Sequence, residues 1–165
     1  ADLLCRLPQG RLDPETTFNV GLINGGSARN AVPENVAFVG EIRSLNPATL
    51  DRLHQQLSGT LQTISDQYPG ARVEIDSGVE FETYSLNPQE PVLGKVLSAL
   101  TTLGLEPTLA PSGGGTDANI SRMHDISAVV VGMATNAAHT TREYVDIARL
   151  IDVARFCETL LKDQL

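Results

Sequence analysis

Two stretches of the chain alternate between apolar and polar positions: residues 17–23, ending at Asn24-Gly25-Gly26, and residues 36–43. A period of two marks strands with one covered face, and the polar loop between them predicts an antiparallel hairpin with a long connection. The periodicity then changes. After Asn46-Pro47, where an amide can cap and proline suits the first helical position, Leu50, Leu53, Leu57, Leu61 and Ile64 recur at three- and four-residue steps. That spacing predicts an amphipathic helix closing near Tyr68-Pro69-Gly70. Val73, Ile75, Val79 and Phe81 predict a third strand. Residues 1–8 carry Leu3, Leu4 and Leu7 without a start signal and read as the tail of an earlier element, and residues 8–14 read as a turn. The β-β-α-β order over 17–84 belongs to an α+β layer with an antiparallel sheet, ferredoxin-like but incomplete at its N-terminal strand and helix.

The second part has another rhythm. Asn87-Pro88 predicts a helix with Val92, Val96, Leu97, Leu100 and Leu103 on one face and Gly104 as its stop. A short strand over 107–110 leads into Ser112-Gly113-Gly114-Gly115-Thr116-Asp117, and a short helix runs to about His124. Residues 127–133 (SAVVVGM) form a near-continuous apolar run, as in a strand buried on both faces. A last helix places Ile147, Leu150, Ile151, Ala154, Cys157 and Leu161 on its expected buried side. The order is α/β, with too few strands for a whole sheet. The expected fold class is therefore α/β overall: residues 1–85 one domain, residues 86–165 a segment of a second.

Of the 165 residues, 41% are apolar and 19% charged, as in an ordinary globular protein, and the formal net charge is −8. Such a field repels phosphate backbones and excludes nucleic acid as a natural partner. No apolar run approaches the ~18 residues that span a bilayer, and the N-terminus lacks the pattern of a signal peptide. Cys5 and Cys157 read as buried free thiols, which points to a reducing, cytoplasmic setting.

Candidate chemistry is sparse. The glycine run Gly113–Gly115 before Thr116 joins a strand to a helix start; it is either a cradle for a carboxylate or phosphate, or a flexible turn with Thr116 or Asp117 as a plain cap. Neither a P-loop nor a dinucleotide fingerprint fits. His139 follows the buried run, at the strand edge where open α/β sheets place ligands, and an imidazole there can bind a metal. His54 and His124 have weaker claims, beside a helix stripe and near a helix end. Arg43 ends the second strand on the face opposite Ile42, suited to bidentate capture of a carboxylate or else an exposed sheet arginine. Asn30 is by default a turn residue.

Taken together, four segments resemble one family. Residues 19–26 (NVGLINGG) with 30–33 (NAVP), then 40–44 (GEIRS), resemble the lid domain of peptidase T-like members of the dinuclear-zinc exopeptidase, aminoacylase and glutamate carboxypeptidase family. Residues 112–119 (SGGGTDAN) and 138–143 (AHTTRE) resemble the C-terminal end of its catalytic domain, and the first of these leans towards the tripeptidase-like branch. The resemblance implies that His139 is the family's last zinc-ligating histidine. It implies that Arg43 grips a substrate carboxylate, that Asn30 helps hold the scissile carbonyl oxygen, and that Gly113, Gly114, Gly115 and Thr116 wall the bound substrate. It further implies two zinc ions in the intact enzyme, a homodimer through the lid, and small peptides or acyl amino acids as substrates.

The family's other metal ligands and its glutamate base precede the lid in sequence, and no counterpart stands in these residues. The 165 residues alone are therefore expected to be inactive, with zinc bound weakly or not at all. Three further readings stay open: an N-acyl amino acid amidohydrolase of the same family, a non-catalytic dimerisation module, and a small-anion-binding domain built on the glycine loop.

Overall fold

The computed structural model describes residues 1–162. The chain divides into two units, Ala1–Thr83 and Tyr84–Leu165. In the first, α1 (Asp2–Arg6) and β1 (Gly10–Asp13) precede the long hairpin of β2 (Thr16–Gly25) and β3 (Val36–Ser44), and α2 (Pro47–Gln67) closes the unit. The sheet is antiparallel in the order β1-β2-β3. The pair Phe18↔Ile42 turns its side chains to the core face, and Thr17↔Arg43 and Asn19↔Glu41 to the other.

Packing follows from that alternation. Phe18 is buried with Leu7, and Leu53, Leu61 and Ile64 supply the buried stripe of α2. Thr16, 1% exposed, has its hydroxyl 2.9 Å from that of Ser44, so the polar pair at the end of the hairpin is satisfied. Asn46 caps α2 by accepting from the Ala48 N–H at 3.0 Å, with Pro47 at the first helical position. At the turn before β2 the Glu15 N–H and the Thr16 hydroxyl hold the Asp13 carboxyl below its usual range.

Three expectations for this unit need correction. Residues 10–13 form an edge strand rather than a turn, so a short helix and strand do precede the hairpin. Val73, Ile75, Val79 and Phe81 join no ladder among the described residues. Their segment is tied instead by side chains: the His54 ring lies 3.0 Å from the Ser77 hydroxyl, and the Thr83 hydroxyl reaches the Ser44 carbonyl at 3.4 Å. Cys5 is free but exposed.

The second unit holds α3 (Pro91–Thr102), α4 (Asp117–Met123), a two-stranded ladder of β4 (Thr135–Asn136) with β5 (Tyr144–Val145), and α5 (Ile147–Lys162). The first helix starts at Pro91 instead of Pro88, with Glu90 at its N-cap position; Asn87 and Glu90 close a separate turn ahead of it, the Asn87 side chain accepting from the Gln89 N–H and the Glu90 side chain from the Asn87 N–H, each at 3.0 Å. It stops at Gly104, whose φ of 71° suits only glycine comfortably. Val96, Ala99 and Phe156 form the core, with Leu100, Leu103, Val129, Val131 and Leu160 against it.

Here too the structure departs from expectation. Residues 107–110 and 127–133 belong to no helix or ladder: a strand buried on both faces needs neighbours at both edges, and no strand among the described residues pairs with them. Val130 and Met133 are exposed accordingly. On α5 the buried face is that of Phe156, with Val153 and Leu160 half-buried. Ile147, Leu150, Ile151, Ala154, Cys157 and Leu161, the expected core side, are all exposed. The helix is apolar around most of its girth, and periodicity alone does not choose between two such stripes.

Candidate functional site

The glycine loop is exposed. The Gly114 N–H donates to the Ser112 hydroxyl at 3.3 Å. Thr116, in extended conformation, is the cap of α4, and its N–H donates to the Asn119 side-chain oxygen at 2.9 Å, closing the first turn reciprocally. A Cβ at Gly113 would meet nothing within 4 Å, and one at Gly114 only the Ser112 hydroxyl at 3.7 Å. Nothing in the described chain therefore requires the glycines at 113 and 114.

Behind α4 lies a cluster that sequence reasoning missed. Arg122, on the last turn of α4, donates to both carboxylate oxygens of Glu90, at 3.1 and 2.5 Å, and twice to the Ala128 carbonyl, at 3.1 and 2.9 Å. Its guanidinium carbon sits 5.0 Å from the centre of the Tyr84 ring. The Arg122 and Glu90 side chains are only 16% and 20% exposed. Hydrogen bonding from Arg122, helped by the Asn87 N–H, holds the Glu90 carboxyl below its usual range, and the same pair raises the Arg122 value. The sequence signal was slight: one arginine in the last turn of a short helix.

His139 is exposed on a seven-residue loop, 137–143, closed by the β4–β5 ladder. Ala137 and His139 both take left-handed backbone conformations, φ 52° and 63°. Neither is glycine or asparagine, so the loop stores strain of about 1 kcal/mol or more per residue. Ala137→Gly is accordingly expected to raise the stability of the second unit by about 0.5–1 kcal/mol. An upward shift of the urea midpoint reads this out, and a fall would contradict the left-handed assignment.

The first unit carries the other candidates. Arg43 lies on the solvent face of β3 and is already engaged: its Nη2 donates to Glu41 at 3.0 Å and its Nε lies 2.9 Å from the second carboxylate oxygen. Asn30 is exposed in the loop 26–35. That loop leaves the hairpin beyond the pair Gly25↔Val36, whereas Arg43 pairs with Thr17 at the far end. Seven residue steps along β3, from Val36 to Arg43, put about 24 Å between the two ends. His54 is spent on Ser77, and His124 is the exposed C-cap of α4.

Among the described residues no group of three or more His, Cys, Asp or Glu side chains is placed to hold a metal ion. The Glu143 carboxylate, the acid nearest to His139 in its loop, accepts from the His139 backbone N–H at 2.8 Å. These residues do not by themselves compose a zinc centre. No helix among them is long and apolar enough to cross a membrane.

Residues 1–69 match the family model described as peptidase dimerisation domain. The chain is 28% identical over 160 residues to YqjE of Bacillus subtilis, covering 97% of this chain and 43% of that protein. It is 27% identical over 159 residues to succinyl-diaminopimelate desuccinylase of Nitrosospira multiformis, covering 92% of this chain and 39% of the enzyme. The crystal structure of a tripeptidase from Staphylococcus aureus superposes with a TM-score of 0.81 at 27% identity, over 98% of this chain and 43% of that one. The chain thus spans less than half the length of the relatives it matches. Residues 1–69 are thus similar to a peptidase dimerisation domain, and the chain as a whole is similar to the tripeptidase and the desuccinylase over less than half of their length.

Proposed function

We propose that these residues are the lid and the C-terminal catalytic segment of a metal-dependent hydrolase that cleaves small peptides in the manner of a tripeptidase. The observation that carries this reading is the continuous likeness to a tripeptidase across both units, at a TM-score of 0.81. In it, His139 contributes one imidazole to a zinc pair whose remaining ligands lie outside these residues. Gly113, Gly114, Gly115 and Thr116 wall the substrate. The setting is cytoplasmic.

Arg43 holds the substrate carboxylate and Asn30 the scissile carbonyl oxygen, and the protein works as a homodimer through the lid. The desuccinylase relative favours a second reading, hydrolysis of an N-acyl amino acid at the same site.

Calorimetric titration of the 165-residue chain with zinc is expected to show no tight stoichiometric site, and the chain is expected to leave tripeptides intact. A longer gene product containing it should hydrolyse them, or N-acyl amino acids. A tight zinc site on the chain alone, or a longer product inert towards both substrate classes with zinc supplied, would overturn the proposal.

A further inference from the structure

The loop that presents His139 is braced by its own side chains. The Thr140 hydroxyl donates to the Ala137 carbonyl at 2.8 Å and accepts from the Arg142 N–H at 3.2 Å, and the Glu143 N–H donates to the Thr140 carbonyl at 3.1 Å. These contacts hold the backbone on either side of His139. One side chain reaches His139 itself. The Glu143 carboxylate accepts the His139 N–H at 2.8 Å, the length of a charge-assisted bond.

We propose that Glu143 is a positioning residue: its carboxylate keeps His139 in the left-handed conformation and so sets the direction in which the imidazole is presented. A left-handed residue without glycine or asparagine chemistry persists only where its surroundings over-determine it. At His139 the agent is on the page: the N–H turns into the loop towards Glu143 while the residue itself stays exposed. The functional sense of this arrangement rests on the reading of His139 given above; the conformational claim stands on the geometry.

Nuclear magnetic resonance on the 165-residue chain tests it, through the His139 amide exchange rate and the coupling and α-carbon shift that report its φ. Glu143→Ala should speed exchange at His139 about tenfold and move its φ reporters towards extended values, with the thermal midpoint unchanged. Glu143→Gln, which keeps an acceptor oxygen in place, should restore most of both. Unchanged behaviour of His139 in Glu143→Ala overturns the proposal. So does a loss of protection throughout the second unit with a matching fall in thermal midpoint, since the carboxylate would then support the unit as a whole. The functional reading fails by a different result: His139→Ala leaving peptide hydrolysis by the longer product intact, whatever Glu143 does to the amide.

Discussion

Gly40→Val is expected to destabilise the N-terminal unit by about 2–3 kcal/mol, although valine is the better strand former by propensity. Gly40 pairs with Val20 where Gly21 stands as an extra residue in β2. A Cβ on Gly40 would lie 2.5 Å from the Asn19 carbonyl oxygen and 3.3 Å from the Val20 Cα. Both are backbone atoms in the ladder, so neither yields without opening the pairing of β2 with β3. The urea midpoint of the first unit is the measurement, and a valine variant as stable as the parent would show that β3 does not approach β2 in this register.

Arg122→Met is expected to cost the second unit about 2–3 kcal/mol, because the isosteric stem remains while four hydrogen bonds are lost and the Ala128 carbonyl is left without its partner. The pH dependence follows from Glu90, whose carboxyl is held below its ordinary value of 4.5. A group depressed in the folded state contributes stability that is complete above its unfolded value and disappears as pH falls through the folded one. The second unit should therefore weaken below about pH 4.5, and Glu90→Gln should flatten that part of the profile. A parent and a Glu90→Gln variant with parallel acid limbs would contradict the assignment.

What could be read in advance followed from how local each signal is. The hairpin and α2 were legible because alternation, a proline and an asparagine cap all lie within a few residues of one another. The strand at Gly10–Asp13 was not, since Pro8, Gly10 and Pro14 are turn chemistry and the strand exists only by pairing with β2. Residues 127–133 show the reverse: the composition of a buried strand, without neighbours to make it one. The same limit applied to the site. Exposure of His139 beyond an apolar run was foreseeable from the chain, whereas the Glu143 contact depends on a backbone angle that no residue type near it announces. Arg122 escaped notice because its three anchors, Tyr84, Glu90 and Ala128, are scattered in sequence.

The extra residue at Gly21 carries one more implication. It changes the phase of β2, so that Ile23 shares a face with Phe38, and Leu22 shares the opposite one with Val39. Deleting Gly21 would leave Leu22 opposite Val39 and Ile23 opposite Phe38 in an unbroken ladder, so only the local kink would be lost. The arm thus absorbs one surplus residue between the hairpin's outer loop and the arginine at its base, while every partner beyond it stays on its own side.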